Sequence, residues 1–198
     1  MRVYTSRLLG SDENLVMHGG GNTSVKGFVR DFFGDDVEVL HVKGSGWDLK
    51  TIEKPGFPAI RLEETRRLAQ LESLSDPDMT RQLRALMLDP GAPSPSVEAI
   101  LHAIIPMRFV DHTHADAIIT LSNNPRGEDI IGELFPDCLV LPYVMPGFVL
   151  SRQVNEALAK VDARRSRGYH PHAPRGVHVR GRRQNRLRVH DRTGHPGG

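Results

Sequence analysis

The sequence has one cysteine, one tryptophan and few aromatic residues, 6% of 198. With Cys138 alone, no disulfide can form within the chain, and a reducing compartment is expected. Leu139, Val140 and Leu141 follow it, so its thiol reads as a buried strand residue rather than a reactive one. No apolar run approaches the ~18 residues of a membrane span. No apolar block follows residues 1–7 either, so no secretory signal is expected. The expectation is a cytoplasmic protein with no membrane partner. Lysine is missing from residues 161–198, which hold ten Arg and two Asp, a charge of +8. Residues 1–160 carry −6, and the chain as a whole +2. This split separates an ordinary, mildly acidic domain at 1–161 from an Arg-rich tail at 162–198.

Periodicity predicts a first helix reaching residue 17, then a glycine-rich turn over 18–24. Strands are expected over 24–30 and 37–42, around the turn Gly34-Asp35-Asp36. Helical spacing covers 62–74, 79–88 and 96–105; a strand with two histidines follows. Residues 128–134 read as helix, 138–141 as strand and 151–161 as helix, with Ser151 as N-cap. Helices alternating with strands indicate a layered α/β domain.

His112-Thr113-His114 is the motif richest in chemistry. Residues i and i+2 of a strand point to one face, so two imidazoles there can hold one metal ion from one side. Imidazole suits zinc, and a catalytic zinc usually has three protein ligands, so a third must come from elsewhere. A metal-free histidine pair is the plainer alternative. Gly19-Gly20-Gly21-Asn22-Thr23-Ser24 and Lys43-Gly44-Ser45-Gly46 are loops whose backbone N–H groups and hydroxyls suit an anion, though each alone reads as a tight turn. Neither is a Walker loop or a dinucleotide fingerprint. Ser96 is expected as a helix N-cap, compatible with anion binding. Glu98 would sit in the first turn, either as a dipole-stabilised acid or as a general base beside a metal.

In this order, Gly-Gly-Asn-Thr-Ser, Lys-Gly-Ser-Gly, Pro95-Ser96-Val97-Glu98 and His112-Thr113-His114-Ala115-Asp116 resemble the class II aldolase/adducin family. The closer resemblance is to the aldolase part of bifunctional rhamnulose-1-phosphate aldolase/alcohol dehydrogenases. It covers roughly residues 6–161 and implies a three-layer α-β-α fold, C-terminally incomplete. It also implies zinc (or another divalent metal) and retro-aldol cleavage of a ketose 1-phosphate such as rhamnulose 1-phosphate. The products would be dihydroxyacetone phosphate and lactaldehyde. By motif, Asn22, Thr23, Ser24, Ser45, Gly46 and Ser96 would surround the substrate phosphate. Glu98 would be the acid/base, and His112 and His114 two of three metal ligands. Intact family members imply a homo-oligomer.

The family's third histidine lies roughly sixty residues beyond the pair, in a His-Gly-containing strand. Here that region reads RGYHPHAPRGVHVRG (residues 167–181), whose prolines and arginines suit a buried strand poorly. Back-translated with suitable codons and read one nucleotide later, it can become EGIILMHHGVFTFG, which restores a His-His-Gly strand. The expectation is that the chain leaves its ancestral frame near residues 161–167 and that the tail is disordered. A specific nucleic-acid partner is not expected, because the arginines lack interleaved aromatics. A non-catalytic adducin-like module and an inactive fragment stand as the alternative functions.

Overall fold

The computed structural model describes residues 1–136, 138–166, 176–179 and 186–188, with side chains as far as residue 161. The chain order begins with α1 (Arg2–Gly10), β1 (Asn22–Arg30), β2 (Asp36–Val42), a 3-10 turn (Lys54–Gly56) and β3 (Ala59–Arg61). Next come α2 (Leu62–Leu68), α3 (Asp76–Ala85), α4 (Ala99–Ile104) and β4 (Phe109–Thr113). The remainder is α5 (Asp116–Ser122), α6 (Gly127–Leu134), β5 (Cys138–Leu141), α7 (Phe148–Ser166), β6 (Gly176–Val179) and β7 (Arg186–Arg188). The strands form one sheet in the order β3-β2-β1-β4-β7-β6-β5. Only the β5–β6 pairing is parallel among those described.

Side-chain alternation along β1 sends successive residues to opposite layers. Thr23 meets Ser6 of α1 on one side. Ser24 and Lys26 meet α4 on the other. The result is the expected α-β-α layering. Under the α4 layer lies the largest apolar cluster, including Leu40, Val42, Ile60, Leu62, Met79 and Ile100. A second cluster joins Leu101, Ile105 and Val110 to Leu150 and Val154 of α7. With six residues, α4 is far too short to persist alone. It holds its place because Ala99, Ile100, Leu101 and Ala103 are fully buried.

Several boundaries differ from expectation, each for a local reason. Helix α1 stops at Gly10 rather than 17, because Asp12 accepts from the Asn14 backbone in a turn that competes with the helix. Ser75 caps α3, accepting from Asp78 N, so that helix starts three residues before Met79. Ser151 is not an N-cap: α7 begins at Phe148, and the Ser151 hydroxyl bonds back to Gly147 O. The same helix runs past 161 to Ser166. Within the expected tail, β6 and β7 are strands of the main sheet. The rest of 162–198 beyond α7 lies outside the described residues, and with it the expectation that this part of the tail is disordered.

On the α1 side, the Arg2 guanidinium donates to the Asp111 carboxylate, to Ser6 Oγ (3.1 Å) and to Ser24 O (3.3 Å). Both charged residues are buried. Removing one partner strands the other charge, whereas replacing both with apolar groups does not. Asp111→Ala should therefore lower the unfolding free energy in urea by about 3 kcal/mol, and Arg2→Met/Asp111→Leu by clearly less. A single variant as stable as the parent would show that this pair does not tie α1 to the sheet.

Candidate active site

The antiparallel pairing of β1 with β4 sets Asn22 directly across from His112 and Ser24 across from Val110. Asn22 and His112 both point to the α4 layer. There the turn before α4 brings up Ser96 and Glu98. That turn is fastened to the Lys43–Gly46 loop by Ser45 N→Ser94 O (2.8 Å) and Ser96 N→Lys43 O (3.1 Å). The Asn22 amide nitrogen donates to Glu98 Oε2 (2.6 Å) and to Ser96 Oγ (3.2 Å). His112 Nδ1 lies 2.7 Å from the same Oε2. The His114 ring packs edge-on to that of His112, with centroids 4.8 Å apart.

Asn22, Ser45, Gly46, Ser96, Glu98, His112 and His114 thus come together at one end of β1 and β4. Two of the expected anion ligands are turned elsewhere. Residues 22–24 belong to the strand rather than to the loop, so their side chains alternate. The Thr23 hydroxyl is 2.7 Å from Ser6 Oγ in the opposite layer, and the Ser24 hydroxyl is 2.8 Å from His102 Nδ1; both residues are fully buried. Ser96 also departs from its expected capping position. The helix begins at Ala99 with Glu98 at the N-cap, and Ser96 Oγ accepts from Glu98 N at 3.3 Å.

The glycine loop has a packing reason that precedes any ligand. A Cβ on Gly21, whose φ is +64°, would stand 2.7 Å from His112 O, and one on Gly20 would stand 3.2 Å from His114 Nδ1. Only glycine lets the loop lie this close to the histidine strand.

Burial pushes the Glu98 carboxyl up, but His112, the Asn22 amide and His102 outweigh it and hold the group below the usual carboxylate range. Three cationic or titratable neighbours were given no role of their own from sequence, Lys43 being named only within its loop. Lys43 is buried with its pKa lowered by desolvation, an effect that Asp48 and Glu98 oppose. Lys26 is pulled to about 7 by burial and Arg66, partly offset by Glu38. Its ammonium donates to the carbonyls of His102, Ile105 and Met107 at 2.6–2.8 Å, closing the C-terminal end of α4. His102, fully buried, is driven to about 3 chiefly by desolvation, against the pull of Glu98. The available signals were spacing: His102 is four residues after Glu98, and Lys26 two after Ser24.

His112 Nε2 is buried and has no hydrogen-bond partner among the described residues, which suits a metal ligand. No group of three His, Cys, Asp or Glu arranged to hold a metal occurs among the described residues. The described donor set therefore fits two ligands of a divalent-metal site, not a complete one.

The family model of the Class II Aldolase and Adducin N-terminal domain matches residues 2–169. The chain belongs to this family. A curated relative from Bacillus subtilis (strain 168), the "Uncharacterized oxidoreductase YuxG", is 42% identical over 158 residues. That match takes in 79% of this chain but only 23% of the relative's length, so the chain spans about a quarter of that protein. Among solved structures, the N-terminal class II aldolase domain of a conserved protein from Thermoplasma acidophilum is 39% identical, with a TM-score of 0.83. The match covers 96% of this chain and 82% of that one. The L-fuculose-1-phosphate aldolase from Thermus thermophilus shares the fold at 18% identity and a TM-score of 0.51, covering 95% of this chain and 79% of that one. No described helix is long and apolar enough to cross a membrane.

His102 gives the family site a pH signature. Its folded pKa of about 3 lies below the ordinary histidine value of 6.5, so between those values the unfolded chain binds a proton that the folded chain does not. Stability is then retained above about 6.5 and lost as pH falls toward 3. His102→Asn, which keeps a group able to bond Ser24, should flatten the stability profile between about pH 6.5 and 4.5. Parallel curves for parent and variant in urea titrations across that range would contradict the buried, neutral imidazole.

Proposed function

We propose that this domain catalyses retro-aldol cleavage of a ketose 1-phosphate, with rhamnulose 1-phosphate as the first candidate. The products would be dihydroxyacetone phosphate and lactaldehyde. The observation that carries this reading is the buried Glu98 carboxylate, in contact with Asn22 and His112 beside the Ser45–Gly46 and Ser96 segments. A carboxylate, an imidazole pair and an anion-suited loop cluster are the groups such a cleavage needs. An assembly module needs none of them.

In the cleavage, the C4 hydroxyl loses its proton and its O–H electron pair becomes the aldehyde C=O. The C3–C4 pair moves into the C2 carbonyl, leaving an enediolate, and C3 is then protonated. Glu98 moves that proton. Ser45, Gly46 and Ser96 surround the phosphate, and Lys43 adds positive charge beside them. Phosphate contacts supply remote binding energy that holds the reacting carbon beside Glu98. His112 and His114 would hold Zn2+ or another divalent ion, which as a Lewis acid would offset the negative charge of the enediolate.

The two-ligand donor set among the described residues supports a second element of the reading: this exact chain is impaired. The inferred change of frame after residue 161 removes the His-His-Gly strand that would bring the third ligand. The name of the Bacillus relative and its extra length accord with an aldolase part joined to a dehydrogenase in the longer protein.

The experiment compares the chain as given with a version carrying EGIILMHHGVFTFG in place of residues 167–181 and the shifted frame thereafter. Zinc content and release of dihydroxyacetone phosphate are measured for both. The expected result is low zinc and weak turnover in the first and recovery of both in the second. Equal activity would refute the reading of the tail. A zinc-loaded, frame-restored protein inert toward ketose 1-phosphates would refute the lyase assignment.

A further inference from the structure

We infer that Asp48 is a positioning residue for the anion end of the site: it clasps the tip of the glycine turn to the loop that carries Ser45 and Gly46. This rests on the phosphate reading of the Ser45–Gly46 segment and assigns a role to Asp48, which the sequence motifs left out.

The glycine turn is anchored at one end only by packing. Gly21 is pressed against the histidine strand, where a Cβ would stand 2.7 Å from His112 O. The tip lies four residues further from any core contact. Gly20 N donates to Met17 O at 2.9 Å, which closes a turn with His18 and Gly19 at its tip, both exposed. Gly19 has a φ of +74°, and a Cβ there would meet nothing within 4 Å. This glycine therefore serves the direction of the backbone and not close packing.

What fixes the tip is the second loop. Lys43 and Asp48, which bracket Ser45-Gly46, grip opposite ends of Gly19. Gly19 N donates to Asp48 Oδ2 at 3.1 Å, and the Lys43 ammonium donates to Gly19 O at 3.4 Å. Asp48 uses both of its oxygens. Oδ1 accepts from Lys50 N at 2.8 Å, and Oδ2 also faces His18 Nδ1 at 2.6 Å. The Lys50 and Gly19 N–H groups, with His18 and Lys43 nearby, hold this carboxyl below the usual carboxylate range against the opposing effect of burial. A carboxylate so engaged can stand two residues from Gly46 without dominating the charge there. Only a carboxylate suits the position, because two N–H groups fall on two different oxygens and an amide has one acceptor oxygen. Backbone donors bind an anion best when their directions are set beforehand, since ordering a loose loop at binding lowers affinity.

The test uses the full chain with Asp48→Asn, Asp48→Ala and His18→Ala. Inorganic phosphate is the probe, followed in 1H–15N spectra at the Ser45 and Gly46 amides. Urea midpoints report separately whether each variant folds, and the nearly isosteric Asp48→Asn carries the test if Asp48→Ala does not. Both Asp48 variants should weaken phosphate binding about 10-fold. His18→Ala leaves both N–H bonds in place and should weaken it less. The Gly19 amide proton should move upfield in Asp48→Asn. In the frame-restored protein, Asp48→Asn should raise KM for a ketose 1-phosphate by a larger factor than it lowers kcat. Phosphate binding in Asp48→Asn that equals or exceeds the parent's would overturn the inference, because removing a repelling charge helps an anion whereas opening a clasp does not. A larger loss in His18→Ala than in Asp48→Asn would assign the effect to the imidazole and overturn it too. No phosphate shift at Ser45 and Gly46 in the parent would overturn the phosphate reading itself, and this inference with it.

Discussion

The cross-strand pair of Asn22 and His112 is the contact on which the rest of the site depends. In a strand, a slip of one residue moves every side chain to the other face. Such a slip would send Asn22 and His112 into the α1 layer and bring Thr23 and Asp111 to the site. The register is held from both layers at once. Arg2 binds Asp111 and the backbone of Ser24 from one side, and Glu98 meets Asn22 and His112 from the other. Groups buried this deeply are costly when left unpaired, so the arrangement tolerates few alternatives.

The placement of Glu98 depends in turn on α4, a helix that cannot sustain itself. Its core is buried all round, and its two ends carry charges of the favourable sign. Glu98 stands at the positive end, and the Lys26 ammonium closes the carbonyls at the negative end. Lys26 comes from the same strand face as Asn22, so β1 grips both ends of α4. Fold and chemistry share these residues, which is why the site is buried in the sheet and not only carried on loops.

Much of this was legible in sequence. The strand at 138–141 and the α/β alternation follow directly from periodicity, and the four motifs in order point to the family, whereas β4 ends at Thr113 and leaves His114 just past the strand. Thr23 and Ser24 were not legible as framework residues. The strand begins at Asn22 and not at Ser24, and glycine-rich composition gives no sign of where pairing takes over. The histidine behind Glu98 had only its spacing to mark it: four residues after Glu98, His102 resembles any polar residue on a short helix until its full burial is known. Loop glycines pointed to close approach correctly, but the close neighbours are His112 and His114.

These pieces give the domain a buried carboxylate–imidazole cluster, beside which the proposed metal would be held by His112, His114 and a third ligand. Anomalous diffraction at the zinc edge from zinc-soaked crystals of the frame-restored protein tests that proposal most directly. The account predicts one peak about 2.0–2.1 Å from a ring nitrogen of both His112 and His114. A strong zinc peak elsewhere, with none between these two rings, would contradict it.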